Sequence, residues 1–310
     1  MNRDRVQSAL DAALGSSAEV LHELGMALYI GAGLIFILVI ALLIRSVFGA
    51  ATPVAPRRWI IGGGLIFPLV TLTALLIYSL RAEDGMHARA SSEPRIEVIG
   101  KQWWWEVRYH LPGHDQPVVL ANELYIPTGR PVVVEVSTTD VIHSFWAPTL
   151  AGKMDMIPGR TNRLMLRTDV PGVHRGQCAE YCGGQHALMA FYVIATSEPE
   201  FSQWLQHQAT PAKIPDDPEL RRGYDLFFSG GCAACHAVRG TPANSSLGPD
   251  LTHVGSRHSL AAGVLDNHIG TLAGWIGGTQ DVKPGSLMPT QNVYSGRELR
   301  AVAAWLQSLQ

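Results

Sequence analysis

Two uncharged stretches constrain this chain more than any other feature of its sequence. Residues 24–44 and 59–80 contain no Asp, Glu, Lys or Arg, although 16% of the 310 residues are charged. About 20 apolar residues in a helix match the hydrocarbon thickness of a bilayer. Both stretches are therefore predicted to be membrane-spanning helices. The alternative, a pair of buried core helices, is disfavoured because core helices of this length seldom avoid every charge.

The charges beside the two spans predict how the hairpin is oriented. The connecting loop carries Arg45, Arg57 and Arg58 and no acid, whereas the segment after Arg81 mixes both signs. By the positive-inside rule the loop is cytoplasmic, and both ends of the hairpin lie on the outer side. The first span is interpreted as retained, because it is longer than a signal-peptide core and follows 23 mostly polar residues.

The region from residue 93 to residue 208 has a β pattern. Short β-branched and aromatic runs alternate there with Pro and Gly, and Val132, Val134 and Val136 fall on one face of a strand. Further strands are predicted at 95–99, 103–109, 118–126, 163–167 and 191–195. This spacing of short strands and turns predicts a β-sandwich or barrel.

The pattern becomes helical after a Pro-containing linker at residues 209–216. Asp217 and Pro218 predict the start of a helix, and Ser295 and Glu298 predict a capping box for the last one. The predicted organisation has four parts: residues 1–92 for the tail and hairpin, 93–208 for the β domain, 209–216 for the linker and 217–310 for a helical domain.

Soft metal ligands are concentrated in one string, Cys178-Ala-Glu-Tyr-Cys182-Gly-Gly-Gln-His186-Ala-Leu-Met189. Thiolates, an imidazole and a thioether suit copper better than magnesium, calcium or a catalytic zinc. With the carbonyl of Glu180 and a second imidazole, His143, the set is sufficient for two copper ions. Each residue alone also has a simpler explanation: a Cys178–Cys182 disulfide, core packing for Met189, and an ordinary hydrogen-bonded histidine at 143.

A second metal-binding pattern begins the helical region, in Gly231-Cys232-Ala-Ala-Cys235-His236. The C-x-x-C-H pattern attaches c-type haem through two thiols and one iron-binding histidine. A zinc site would need two further ligands, and no cysteine remains to supply them. Met288 is the predicted second axial ligand, since a Met–His pair favours electron transfer over oxygen binding. The competing candidates are His253, His258 and His268.

Together these features resemble subunit II of the haem-copper cytochrome c oxidases. The resemblance runs from the spans to about residue 208 and rests on Gln102-Trp103-Trp104-Trp105, on segments 141–146 and 155–160, and on the copper loop. It implies a multidomain membrane protein with a two-helix hairpin and a cupredoxin-like Greek-key β-sandwich holding the dinuclear copper A centre. Residues 217–310 resemble an all-α class I cytochrome c, through Gly248-Pro-Asp-Leu and Trp275-Ile. Fusion of the two is the pattern of caa-type oxidases.

The resemblance also implies roles for single residues. The copper ligands are His143, Cys178, Glu180, Cys182, His186 and Met189, with Glu180 acting through its carbonyl. The haem ligands are Cys232, Cys235, His236 and Met288. The side chain of Glu180 matches a ligand of a magnesium or manganese ion shared with subunit I.

Three further residues match the family near the copper centre. Trp103 matches the tryptophan through which electrons reach the copper, and its other interpretation is a core or interface residue. Asp155 and Arg160 resemble residues of the interface with subunit I, or form an ordinary loop ion pair.

The implied function is the electron-receiving subunit of a proton-translocating terminal oxidase. Electrons would pass from haem c to the dinuclear copper and then to the haems of subunit I, where oxygen is reduced to water. This chain would supply no catalytic residue of its own. The second span lacks the carboxylate that family members often carry there, which puts a direct part in proton uptake in doubt.

The expected surroundings follow from the same resemblance. The partners are oxidase subunits I and III, a cytochrome c or another electron-donating complex, and the lipid bilayer. A net charge of −2 gives no reason to expect nucleic acid. The location is the bacterial inner membrane, with two passes and both soluble domains on the periplasmic face.

Three other classes of protein share parts of this pattern. A membrane-anchored copper chaperone binds one copper ion with C-x-x-x-C and a distant histidine, but it would have a thioredoxin-like α/β pattern and would need neither His186, Met189 nor haem. A quinol oxidase subunit keeps the fold without the copper ligands. Nitrous-oxide reductase shares the copper loop but has a propeller domain and no such hairpin.

Overall fold

Two long helices, a β-sandwich and a helical domain follow one another along the chain in a computed structural model. The structure describes residues 13–50, 53, 55–84 and 94–310. The first helix, α1, is Ser16–Phe48. The second is continuous through α2 (Pro56–Arg58), a π-helical segment (Trp59–Ile66) and α3 (Phe67–Asp84).

Both long helices meet the length and hydropathy of a membrane span. The two candidate spans are Ser16–Phe48 and Pro56–Ala82, with mean hydropathies of 2.9 and 2.3 over their most apolar windows. None of either window is buried inside the chain. The alternative of two core helices is therefore wrong, because their apolar faces have no core of this chain to cover them. Uncovered apolar helices of this length suit a lipid bilayer.

The beginning of α1 is hydrogen-bonded to the β-sandwich. The backbone amides of Leu14 and Gly15 donate to the carbonyl of Thr149 over 2.8 and 3.0 Å. The hydroxyl of Thr168 donates to the carbonyl of Leu14 over 2.6 Å. The start of the first span and the β-sandwich therefore lie on the same side of the hairpin.

The sandwich consists of two five-stranded sheets, ordered β3-β2-β1-β5-β8 and β4-β10-β9-β6-β7. The strands of the first sheet are β1 Arg95–Lys101, β2 Trp104–His110, β3 Val118–Ala121, β5 Val132–Thr138 and β8 Asn162–Leu166. Those of the second are β4 Glu123–Pro127, β6 His143–Trp146, β7 Met154–Met156, β9 Gly172–Cys178 and β10 Ala190–Thr196. The predicted alternation in β5 is confirmed, since Val132, Val134 and Val136 are all buried.

The single strand predicted at 118–126 is wrong. The chain leaves the first sheet after β3 and enters the second at β4, with Asn122 between them in the left-handed conformation at φ 63°. Asparagine tolerates this conformation better than most residues. Its side-chain oxygen also accepts a hydrogen bond from the amide of Trp105 over 2.9 Å. The continuous apolar pattern on either side conceals the change of sheet.

A short helix, α4 (Glu198–Gln208), closes the β domain and was not predicted. It begins at a capping box formed by Ser197 and Glu200. Between the sheets lies an aromatic core in which the Trp105 ring is 5.0 Å from that of Phe191 and 5.9 Å from that of Phe145.

The helical domain is built around the crossing of its first and last helices. Its elements are α5 Pro218–Ser229, β11 Ser259–Leu260, β12 Leu265–Asp266, α6 Ile269–Gly277, α7 Thr279–Val282 and α8 Gly296–Ser308. The predicted Asp217 cap and the Ser295–Glu298 capping box are both confirmed. At the crossing, the Trp305 ring lies 5.3 Å from that of Tyr224 and 5.0 Å from that of Phe227.

This crossing depends on Gly223, and Gly223→Ala is expected to destabilise the helical domain. An added Cβ would lie 2.1 Å from the carbonyl oxygen of Ala301, so the helices would have to move apart. We expect a loss of about 1–3 kcal/mol, as in other overpacked cores, measured by denaturant unfolding. Gly296→Ala, in the open first turn of α8, is the matched control. Equal free energies of unfolding for the two variants would contradict the close approach of the two helices at Gly223.

Candidate copper and haem centres

The second sheet brings the predicted copper ligands together. Strand β6 begins at His143 and strand β9 ends at Cys178, and the two strands are neighbours with Phe145 opposite Cys178. The loop that follows Cys178 returns to β10, which begins immediately after Met189. The adjacent ends of two strands and one loop therefore carry every predicted side-chain ligand.

The distances between these ligand atoms are short. The Sγ atoms of Cys178 and Cys182 are 3.7 Å apart. His143 Nδ1 lies 3.8 Å from Cys178 Sγ, and His186 Nδ1 lies 3.6 Å from Cys182 Sγ. The remaining two predicted ligand atoms are Met189 Sδ, 3.8 Å from Cys182 Sγ, and the Glu180 carbonyl oxygen, 3.2 Å from Cys178 Sγ.

This donor set fits metal ions rather than a disulfide. Both cysteines are free, and their sulfur separation of 3.7 Å far exceeds a disulfide bond of about 2.05 Å. The same separation is smaller than twice a metal–sulfur distance of about 2.3 Å, so one ion can contact both sulfurs. Among the described residues, His143, Cys178 and Cys182 are the one group of three such ligand atoms lying within 4.8 Å of one another.

The thiols and the imidazole influence one another electrostatically. The hydrogen bond with Cys182, and then that with His143, lowers the pKa of the Cys178 thiol far below its ordinary value. Burial lowers the pKa of His143, but its contacts with Cys178 and Asp140 outweigh burial and the net pKa is raised. A thiolate beside an imidazole is the form in which cysteine binds metals.

Asp140 orients His143 and was not among the residues predicted from the sequence. One carboxylate oxygen of Asp140 lies 2.8 Å from His143 Nε2, and the other accepts the amide of Gln102 over 2.7 Å. His143 Nδ1 is therefore left facing the sulfur of Cys178. A carboxylate on the second nitrogen is the usual way in which a metal-binding imidazole is held. The available signal was an aspartate three residues before the histidine.

Asp140→Asn is expected to weaken copper binding by about 10–100-fold, the usual cost of removing such an orienting partner. The variant keeps the shape of the side chain but loses the carboxylate that holds the imidazole. Copper retention against a graded chelator measures the effect. The matched control is Asp115→Asn on an exposed loop. Identical retention in the two variants would show that Asp140 does not orient the ligand.

The three consecutive tryptophans have three different environments. Trp105 is buried in the core, and the ring of Trp104 lies 4.9 Å from the ammonium of Lys101. Trp103 contacts the copper loop, because its indole nitrogen donates to the carbonyl of Cys182 over 3.0 Å. Gln102 donates to the same carbonyl over 2.7 Å, so two side chains hold this point of the loop.

The carboxylate of Glu180 points away from the copper cluster. Its Oε2 lies 3.6 Å from Lys153 Nζ, and Lys153 also pairs with Asp155 over 3.2 Å. Asp155 further accepts a hydrogen bond from Ser144. Among the described residues, the ion-pair partner of Asp155 is thus Lys153 rather than Arg160.

The C-x-x-C-H motif presents its histidine in an orientation suited to iron. A short 3₁₀ turn spans Cys232–Ala234, and His236 Nδ1 lies 2.7 Å from the carbonyl of Pro249. Because that carbonyl can only accept, Nδ1 carries the proton and Nε2 is left as the metal-binding atom. Burial lowers the pKa of His236, which favours the neutral ring. Gly248 makes this approach possible, since a Cβ there would lie 2.8 Å from the imidazole.

The candidates for the second axial ligand differ in their other contacts. Met288 is partly buried against the core of the helical domain, and its carbonyl accepts the side-chain amide of Gln280 over 2.8 Å. His268 caps α6 by accepting the amides of Gly270 and Thr271 on Nδ1. His253 Nε2 lies 3.1 Å from the carbonyl of Thr210, and the amide of His258 donates to Glu123. One ring nitrogen each of His253 and His268 is thus already engaged, which favours Met288 over these two histidines.

A membrane hairpin, a β-sandwich with a buried cluster of soft ligands, and a domain with a haem-attachment motif together define a membrane-anchored redox protein. Comparison with known proteins narrows this class. Residues 112–196 match the family "Cytochrome C oxidase subunit II, periplasmic domain", and residues 220–310 match the family "Cytochrome c".

Two relatives both carry the name "Cytochrome c oxidase subunit 2". The chain is 35% identical over 252 residues to "Cytochrome c oxidase subunit 2" of Alkalihalophilus pseudofirmus, covering 79% of this chain and 71% of that protein. It is 30% identical over 259 residues to the protein of the same name from Bacillus sp. strain PS3, with the same two coverages. The chain therefore belongs to the cytochrome c oxidase subunit II family, whose members receive electrons for a haem-copper oxidase.

A solved structure is also similar to part of the chain. The periplasmic domain of subunit II of cytochrome oxidase from Bradyrhizobium japonicum is 30% identical, covers 40% of this chain and 96% of its own, and has a TM-score of 0.36. The two family matches imply that the chain binds copper and haem. They also imply other oxidase subunits as partners and a membrane location with the β-sandwich on the periplasmic side.

Proposed function

We propose that the chain holds two copper ions and one haem c, and that it transfers electrons from haem c to the copper ions. The observation that carries this proposal is the convergence of six ligand atoms, each 3.2–3.8 Å from a cysteine sulfur. The copper ligands are His143, Cys178, the Glu180 carbonyl, Cys182, His186 and Met189. The haem is attached at Cys232 and Cys235 and bound by His236 and Met288. When bound, these groups supply one-electron carriers, which the protein's own side chains do not.

The protein's own contribution is to position these ligands and to exclude water. Cys178, Cys182 and Met189 are at most 5% exposed, and His143 is fully buried. Asp140 holds one imidazole, and Gln102 and Trp103 hold the carbonyl of Cys182. Ligands held at this many points would keep their positions when the bound ions gain or lose one electron.

Further assignments belong to the same proposal. Trp103 links the copper loop to the protein surface and is the residue through which electrons reach the copper. The outward-pointing carboxylate of Glu180 is available to a magnesium or manganese ion shared with subunit I. The division into residues 1–92, 93–208, 209–216 and 217–310 describes the hairpin, the copper domain, the linker and the haem domain.

The proposed setting is a proton-translocating terminal oxidase of the bacterial inner membrane. Both soluble domains then lie in the periplasm, with subunits I and III as neighbours and a cytochrome c or another electron-donating complex as the source of electrons. Oxygen is reduced in subunit I.

Metal and haem analysis of the purified chain tests this proposal. We expect two copper ions and one covalently bound haem per chain, with a paramagnetic signal from one electron shared by two copper nuclei. A single copper ion without that signal would instead fit the copper chaperone, although the β-sandwich differs from the thioredoxin-like fold expected of that class.

A further inference from the structure

The helical domain touches the β-sandwich at the turn that leads towards Met288. This turn begins at Lys283, whose side chain is buried with 3% of its surface exposed. The Lys283 ammonium donates to the carbonyl of Trp103 over 2.7 Å and to the carbonyl of Ala261 over 3.0 Å. One acceptor belongs to the copper domain and the other to the helical domain, so a single cation bridges the two.

The next two residues of the turn extend the contact. Gly285 lies beside the outer atoms of the Trp103 indole, since a Cβ added to it would be 3.7 Å from Cη2 and 3.9 Å from Cζ3 of that ring. Its φ of 80° is in the left-handed region, which glycine adopts without strain. Beside it, the side-chain amide of Gln185 donates to the carbonyl of Pro284 over 2.8 Å. The turn therefore contacts the ring of Trp103 and also reaches the copper loop.

A second line of contacts lies beside the first. The amide of Ala190, which directly follows Met189, donates to the carbonyl of Ala262 over 3.0 Å. Ala261 and Ala262 both have positive φ, at 54° and 62°, a conformation that is unfavourable for alanine. Such conformations persist where surrounding contacts enforce them. A third contact between the domains joins β4 to the helical domain, where the buried carboxylate of Glu123 accepts a hydrogen bond from the amide of His258 over 2.5 Å.

The bonding of Lys283 is informative because burying a cation is unfavourable unless its donors are satisfied. Among the described residues, no carboxylate lies within 4 Å of Lys283 to form an ion pair. Its hydrogen bonds to two carbonyls compensate for the lost water, and such charge-assisted bonds are stronger than neutral ones. One of these bonds exists only while the two domains are in contact.

We propose that Lys283 is a docking residue, which fixes the cytochrome domain of this chain against the copper domain at Trp103 and so sets the rate of electron transfer from haem c to copper. This inference rests on the proposed function. Lys283 acts as a positioning residue: it holds the Met288 loop against the copper loop.

The test compares Lys283→Met with Lys213→Met in the complete oxidase. Lys213 is an exposed lysine of the linker, so its replacement makes the same chemical change outside the contact. The first measurement is amide hydrogen exchange at Ala190, whose amide is protected only when the domains are docked. The second is the single-turnover rate of electron transfer from reduced haem c to copper.

Lys283→Met is expected to raise exchange at Ala190 by about tenfold, equivalent to about 1.4 kcal/mol, and to slow the internal transfer. The copper and haem spectra should remain those of the parent protein. Exchange and transfer rates equal to those of Lys213→Met would overturn the docking role. Absence of the two-copper signal from the parent protein would instead refute the proposed function, so the two failures are distinguishable.

A second variant keeps the test decisive if Lys283→Met does not assemble. Gln185→Ala removes only the outer hydrogen bond to Pro284 and leaves the buried lysine in place. A smaller rise in exchange at Ala190 supports the docked arrangement, whereas exchange identical to the parent counts against it.

Discussion

Cys182→Ser is expected to abolish the two-copper signal while leaving the covalent haem in place. Cys182 contacts three other predicted ligands, with its sulfur 3.6–3.8 Å from those of Cys178 and Met189 and from the imidazole of His186. A serine hydroxyl is a harder ligand and suits copper poorly. Turnover should fall by more than about 100-fold, since losing a residue that merely orients a ligand costs about 10–100-fold.

Electron paramagnetic resonance, copper content and the haem spectrum of the same preparation measure this outcome. The matched control is Cys235→Ser, which should weaken haem attachment and keep the two-copper signal. A two-copper signal that survives in Cys182→Ser would refute the ligand assignment.

Met288→Ala is expected to leave the haem attached but to change the ligation of its iron. The two thioether bonds and the axial ligand His236 remain, while the sulfur of Met288, the proposed second axial ligand, is lost. Since Met–His ligation raises the potential of cytochrome c iron, the potential should fall by on the order of 0.1 V, within the range of about 0.8 V that axial ligands span. A redox titration of the purified oxidase measures the change.

The matched control for Met288→Ala is His268→Asn. Asparagine is a good helix cap, so it preserves the start of α6 while removing a competing imidazole. An unchanged potential in Met288→Ala, together with a shifted one in His268→Asn, would assign the axial position to His268 instead.

Features that depend only on residues close together in the sequence could be predicted. The two uncharged spans, the alternating valines of β5, and the helix caps at Asp217 and Ser295 all depend on neighbours within a few residues. The candidate ligands were recognisable for the same reason, because metal-binding residues cluster in strings such as that from Cys178 to Met189. The chemical nature of these side chains does not depend on the rest of the fold.

Contacts between distant segments could not be predicted in this way. Asn122 interrupts an apolar run that looks like one strand, and its side chain is held by Trp105 in another strand. The strand β9, which ends at the copper loop, also went unpredicted. Periodicity shows which residues favour a strand, but the pairing of sheets decides where a strand is interrupted.

The sequence by itself determined the chemical groups of this protein: two membrane spans, four cysteines in two metal-binding patterns, and the histidines and methionines that accompany them. Only the tertiary structure decided how these groups are held. Asp140 orients His143, the carbonyl of Pro249 orients His236, and Lys283 reaches Trp103 across 180 residues of chain. The physical reason is that hydrogen bonds to buried carbonyls and carboxylates depend on the approach of distant backbone segments, which no local pattern of residues encodes.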